Sequence, residues 1–267
     1  MIIIGERINS SRKKIAAAIE RQDAEFIKNE AISQCEAGAK YIDVNCGTFL
    51  DKETAMMQWL IETVQSVVDA PLCIDSPSAD TIKAAIKLCK NKPAIINSIT
   101  AEEERADAIL PTVKEYDTFV VALTMDETGI PRTAEERTKM AERILKFAEK
   151  HKVDREKIYF DPLVQPIGSD QAQGKILLQT IAMIKSLGNT KLSCGLSNVS
   201  FGLPDRALLN ATFLAMCVAA GLDAVMIDPL NEKLMSTLSA ALALTGEDQY
   251  CMNYIQRFRK MHEQAAQ

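Results

Sequence analysis

Histidine is almost absent from this sequence of 267 residues: only His151 and His262 occur, both in charged helical stretches, KHKVDREK and RKMHEQ. Two such residues cannot build a cluster of imidazoles around a metal, which excludes the barrel hydrolases that depend on one and leaves both with a surface role. A serine nucleophile would find no base either. Gly195-Leu196-Ser197-Asn198-Val199-Ser200 also has Val199 where a nucleophile elbow of the form G-x-S-x-G needs glycine. Seven cysteines, an odd number with no C-x-x-C, read as reduced thiols in a cytoplasmic protein.

Other shortages narrow the field further. Glycine (11) and proline (9) are too sparse for a collagenous or low-complexity chain, and hydrophobic residues at 47% exclude disorder. Positive charge is not in excess: 31 Lys+Arg stand against 36 Asp+Glu, so the net charge is -5 and nothing favours a nucleic-acid partner. No apolar run reaches the roughly 18 residues of a membrane span, because Gly221 and Asp223 break the longest candidate, Ala211 to Ile227. Before Gly5, Glu6 and Arg7 only Met1 to Ile4 are apolar, unlike a secretory leader. Lysine is missing from strand interiors: Lys191 begins a strand, on the face opposite an active site, which argues against a Schiff-base aldolase.

What is present is a repeated alternation. Short apolar, β-branched runs occur at Ile2–Ile4, Tyr41–Asn45, Leu72–Ser76, Ala94–Ser98, Phe119–Met125, Ile158–Leu163, Lys191–Asn198 and Ala224–Pro229. Segments of helical period lie between them, near 24–37, 52–68, 79–90, 103–115, 134–150, 172–187, 206–219 and 232–244, and one more, about 248–265, is left over. Asp51, Ser78 with Asp80, and the capping-box pair Thr133 and Glu136 mark helix starts. Strands this apolar are buried on both faces, as parallel strands under helices are.

Eight βα units in one domain spanning 1–267, with no linker, predict an α/β fold: a (β/α)8 TIM barrel of roughly 250 residues carrying an extra C-terminal helix. The rival, an open doubly wound sheet, usually carries G-x-G-x-x-G after its first strand, and Gly5-Glu6-Arg7-Ile8-Asn9-Ser10 is not that.

Polar residues gather at the C-terminal ends of the strands: Glu6 and Asn9 after the first, Asp43 and Asn45 on the second, then Asp75, Asn97, Asp161, Asn198 and Asp228. In a barrel these ends share one mouth, where active sites of this fold lie. Any single Asp or Asn there is ordinarily a cap or turn residue. That reading is preferred for Asp228, before Pro229, and for Asn45, beside Gly47. Asp75, Asn97 and Asp161 directly end apolar runs and would be costly to bury without a partner, so a ligand rich in donors and acceptors is expected. The loops SNVSFGLPD and DPLNE are acidic where this fold usually grips phosphate.

Together Ile3-Ile4-Gly5-Glu6-Arg7-Ile8-Asn9, Asp43-Val44-Asn45, Cys73-Ile74-Asp75-Ser76, Ile95-Ile96-Asn97-Ser98, Phe160-Asp161-Pro162-Leu163 and Gly195-Leu196-Ser197-Asn198-Val199-Ser200 resemble the pterin-binding barrels, above all the methyltetrahydrofolate:corrinoid methyltransferases. The likeness runs from Ile2 to about Phe258. Dihydropteroate synthases place basic residues where this chain has Asn198 and Asp228, and methionine synthase adds a zinc-thiolate domain whose cysteine cluster has no counterpart here.

The resemblance implies that Asp75, Asn97, Asp161, Gly195, Ser197 and Asn198 bind a pterin ring, with Asn198 facing N5 as the catalytic group. It places Glu6 and Asp43 at the same mouth, where they either touch the ligand or orient Asn45 or Arg7. It implies tetrahydrofolate and 5-methyltetrahydrofolate as substrates and a cobalamin or protein-bound corrinoid as methyl donor or acceptor, with no protein-bound metal. Transfer from methylcobalamin to tetrahydrofolate, as in glycine betaine demethylation, is the favoured direction. The reverse, toward acetyl-group synthesis, and a pterin binder without methyltransferase activity stay open. A homodimer is expected, through the apolar residues Tyr250, Met252, Tyr254, Ile255 and Phe258 of the last helix, against the alternative that this helix plugs the barrel floor or packs on the first helix.

Overall fold

The computed structural model describes residues 1–265. Eight parallel strands close in sequence order into a barrel: β1 Ile2–Asn9, β2 Tyr41–Asn45, β3 Leu72–Asp75, β4 Ile95–Ile99, β5 Phe119–Leu123, β6 Ile158–Asp161, β7 Lys191–Gly195 and β8 Ala224–Ile227. Around them run α1 Lys13–Glu20, α2 Ala24–Glu36, α3 Glu53–Gln65, α4 Ala79–Ile86, α5 Glu103–Glu115, α6 Ala134–His151, α7 Gln173–Ser186, α8 Arg206–Ala219, α9 Glu232–Leu244 and α10 Met252–Ala265. The predicted closed barrel and extra C-terminal helix are both present. Among the described residues no helix is long and apolar enough to cross a membrane.

Two apolar clusters divide the strand residues by parity. Ile42, Val44, Ile74, Ile96, Val120, Phe160 and Val225 pack outward against the helices. Ile4, Tyr41, Cys73, Ile95, Val121, Tyr159 and Ala224 fill the lumen. Side chains alternate across a strand, so positions two further on also face inward. Those positions are Glu6, Asp43, Asp75, Asn97, Leu123, Asp161 and Met226. One step toward the mouth, five of these seven lumen positions are polar, with Leu123 and Met226 the exceptions.

The floor is sealed by aromatic and cationic side chains. Lys191 stacks over Phe119 and Tyr159 with its Nζ 5.2 and 5.7 Å from the ring centres, and the two rings meet edge to face at 5.5 Å. Lys191 thus sits on the face opposite the mouth, as its place at the start of a strand predicted.

Several boundaries differ from the sequence reading. The first strand does not stop at Ile4 but continues to Asn9, with one extra residue between Gly5 and Ile8 relative to β2. Arg7, displaced from the ladder at that bulge, donates its backbone N–H to Gln34 Oε1 at 3.0 Å. A Cβ at position 5 would lie 2.4 Å from that same oxygen, so any larger residue there displaces the Gln34 amide that Arg7 bonds. Helix α1, with no side-chain cap, escaped the pattern reading. The seventh strand ends at Gly195, so Asn198 belongs to a 3₁₀ turn, Leu196–Ser200. Asp51 lies within a turn and caps nothing, whereas Ser78 and the Thr133–Glu136 capping box do as expected. His151 forms a surface pair with Asp107 at 2.6 Å, and the side chain of His262 lies outside the described residues.

Among the described residues the helix that α10 packs on is α9, rather than the expected α1. Tyr250, Met252, Tyr254, Ile255 and Phe258 are all exposed.

Candidate active site

On the β2–β4 side of the mouth, adjacent strands place Asn45 beside Asp75 and Asp75 beside Asn97. Asn45 Nδ2 donates to Asp75 Oδ2 at 2.9 Å, while its Oδ1 accepts from Ser10 Oγ at 3.0 Å and from the Gly47 N–H at 3.1 Å. The residue is therefore both the turn cap expected beside Gly47 and the support that orients Asp75. Arg105, from α5, ties the end of β4 to the loop after β3, donating to Ser98 O at 2.8 and 3.0 Å, to Ser76 O at 3.0 Å and to Pro77 O.

Beneath this layer the carboxylates crowd. Asp43 is fully buried and neither oxygen has a hydrogen-bond partner; Cys73 and Asn97 are its polar neighbours without bonding it at ordinary geometry. Burial first, then the charge of Asp75, pushes its pKa well above the usual carboxylate range, which favours the neutral acid. Glu6 is pushed up to about 7 by burial and by Asp228. Neither orients Asn45 or Arg7. Asn45 is held by Ser10 and Gly47, and Arg7 turns outward to Glu30 at 2.6 Å and Asp228 at 2.7 Å. Asp228 in turn accepts the Leu230 N–H at 3.0 Å, so it serves as a turn cap and ion-pair partner, in line with its place before Pro229.

On the β6–β7 side, Asp161 Oδ1 accepts the Leu163 N–H at 2.7 Å. Burial raises Asp161 to about 6, opposed by that N–H, by the Arg137 cation and by the Gly195 N–H. Asn198 is exposed, and its side chain makes no hydrogen bond among the described residues. The turn carrying it is fastened by Arg206, which donates to Ser197 O at 2.8 Å and to Ser200 Oγ at 3.0 Å.

Asn97, Asp161, Gly195 and Asn198 line one cavity at the mouth, together with Gln165. Asp75 and Asn97 line the adjoining depression with Arg105, so Asn97 is the partition between them. Ser197 lines neither, and its backbone carbonyl is its polar contact. Gln165, Arg105 and Arg137 escaped the sequence reading. The arginines sit in charged helices and declare themselves only through contacts distant in the chain.

A parallel α/β barrel with carboxylates and amides converging at its C-terminal mouth is the architecture of a barrel enzyme. The chain belongs to the pterin binding enzyme family, which it matches over residues 5–228. It is 37% identical over 263 residues to the methylcorrinoid:tetrahydrofolate methyltransferase of Eubacterium limosum, covering 97% of each chain. It is also 30% identical over 264 residues to the methionine synthase of Mycobacterium leprae, covering 91% of this chain and 22% of that much longer one. Among solved structures, a dihydropteroate synthase from Coxiella burnetii superimposes with a TM-score of 0.73 at 15% identity, covering 92% of this chain and 94% of that one. At that identity the likeness concerns the fold.

Proposed function

We propose that this protein transfers a methyl group from a methylcorrinoid to N5 of tetrahydrofolate in a single pterin-binding domain. The observation that carries the reading is the array Asp75, Asn97 and Asp161, set on lumen-facing positions of one mouth in a chain that aligns end to end with a methylcorrinoid:tetrahydrofolate methyltransferase. The amino-pyrimidinone edge of a reduced pterin offers N–H donors and a carbonyl. Two carboxylates accept from the donors, and the Asn97 amide serves either. Gly195, with no side chain, leaves room for the ring beside Asp161.

Asn198 is the group assigned to N5. As the N5 electron pair forms the new bond to the methyl carbon, the cobalt–carbon bond breaks, the bonding pair of that bond stays on cobalt, and the N5 proton passes to water. A neutral amide stabilises the changing charge by hydrogen bonding without titrating. The corrinoid is a second substrate that covers the mouth, so the step is a direct displacement needing no covalent protein intermediate. The seven free thiols suit a reducing cytoplasm.

Mixing the protein with tetrahydrofolate and methylcobalamin tests the reading through cobalt absorbance. Conversion of the methylcobalamin bands with formation of methyltetrahydrofolate is expected; unchanged bands in a sample that binds both compounds would reduce the protein to a pterin binder. The exposed apolar face of α10 supports a homodimer, and light scattering that returns the mass of one 29.4 kDa chain at micromolar concentration would overturn that part.

A further inference from the structure

Among the described residues Arg137, on α6, is the one arginine buried from solvent, at 1% exposure. A buried guanidinium is normally paired with a carboxylate, because desolvating an isolated cation is costly. All of its hydrogen-bond acceptors here are neutral: Pro131 O at 3.0 Å, Pro162 O at 2.9 Å, Leu163 O at 3.0 Å and Gln173 Oε1 at 2.9 Å. Two of those carbonyls belong to the residues directly after Asp161. Leu163 holds a left-handed backbone (φ 63°), a conformation that a leucine keeps only when its surroundings enforce it. Its N–H is the donor to Asp161 Oδ1. An unbroken path therefore runs from the guanidinium, through the Leu163 peptide, to the carboxylate.

We propose that Arg137 is a positioning residue for the reaction, fixing through Pro162 and Leu163 the direction in which Asp161 presents its carboxylate to the pterin. The inference deepens the pterin reading and rests on it. The charge of Arg137 works with its geometry. The ionisable groups facing Asp161 are Arg137 from α6 and the Cys194 thiol from β7, itself hydrogen-bonded to the free thiol of Cys217 on α8. Arg137 is thus the cation that opposes the effect of burial on this carboxyl, and in return Asp161 is the anion nearest to balancing it.

Two substitutions separate charge from geometry. Arg137→Gln keeps hydrogen-bonding capacity and removes the charge, whereas Arg137→Lys keeps the charge and loses the fork that spans three carbonyls. The measurements are tetrahydrofolate affinity as a function of pH by calorimetry, and the carboxyl carbon-13 titration of Asp161 in the ligand-free protein, assigned with Asp161→Asn. Arg137→Gln is expected to move the ionisation of Asp161 to higher pH and to weaken tetrahydrofolate binding at neutral pH by about tenfold, the order of one misaligned bond to a charged group. Arg137→Lys should leave the titration where it was and still weaken binding, with KM for tetrahydrofolate rising more than kcat falls. Arg143→Gln, on the same helix and paired with Asp126, should move neither readout.

Wild-type titration and wild-type affinity in folded Arg137→Gln would overturn the proposal. Should that variant not fold, Gln173→Glu sets a carboxylate beside the guanidinium without removing the clamp, and an Asp161 titration unmoved in it would also overturn the proposal. Wild-type protein that binds no tetrahydrofolate at any pH would overturn the functional reading, while the carboxyl titration would still decide whether Arg137 governs Asp161.

Discussion

On the β2–β4 side of the mouth side chains hold side chains, with Asn45 gripping Asp75 and itself held by Ser10. On the β6–β7 side the backbone does the holding: the Leu163 N–H fixes Asp161, and Asn198 stands on a turn fastened by Arg206 through a carbonyl and a hydroxyl, its own amide without a hydrogen bond among the described residues. On the first side Asp75 is set before any ligand arrives. The second keeps one polar group free to take up a partner, and that group is the one assigned to the reacting nitrogen. A rigid grip suits recognition of a ring that does not change. An uncommitted amide suits an atom whose charge changes during the reaction.

The sharpest test of this contrast is Asn198→Ala, expected to slow single-turnover methyl transfer by roughly 10²–10³ at saturating substrates with little loss of affinity. Stopped-flow cobalt absorbance at the wild-type rate in a folded variant would break the division of labour. Next comes pH. Asp161 at about 6 and Glu6 at about 7 both stand above their ordinary values, so the folded protein binds these protons more tightly than the unfolded chain does. Their contribution is therefore complete at low pH and disappears as pH rises through about 6 and about 7. Each is of the order of 3 kcal/mol. Ligand-free protein should melt at a higher temperature near about pH 5 than near about pH 8. Asp161→Asn should flatten the lower part of that curve and Glu6→Gln the upper part. Calorimetric scans that fall as pH drops over this range would contradict the sign.

Smaller effects probe the grip itself. Asp75→Ala or Asp161→Ala should cost about 1.5–3 kcal/mol of tetrahydrofolate affinity, as for hydrogen bonds to a charged group, with the fold retained. Asn45→Ala should reproduce about 1 kcal/mol of the Asp75 loss by releasing its carboxylate. Titration calorimetry in which Asn45→Ala binds as the wild type does would remove Asn45 from the supporting role.

Legibility in the sequence followed the apolar runs. Asp75, Asn97 and Asp161 were visible because each interrupts a run that otherwise stays buried, and the barrel was visible because eight such runs alternate with segments of helical period. Glu6 looked like a loop residue because the bulge in β1 sets two charged residues inside a strand. Asn198 looked like a strand end because Leu196 and Val199 continue the apolar pattern into a turn. The supporting arginines had no local signature. EERADAILPTVKE and AEERTKMAERILKFAEKH read as solvated helices, and what distinguishes Arg105 and Arg137 is a set of carbonyls brought to them by other strands.

The lysine and aromatic rings at the barrel floor have a consequence for the order of events. A vessel stoppered at the bottom has a single door, so whatever sits deepest goes in first and comes out last. On the proposed function a small pterin binds under a much larger corrinoid, and a single door orders their traffic: folate enters before the corrinoid covers the opening, and methylated folate leaves after it.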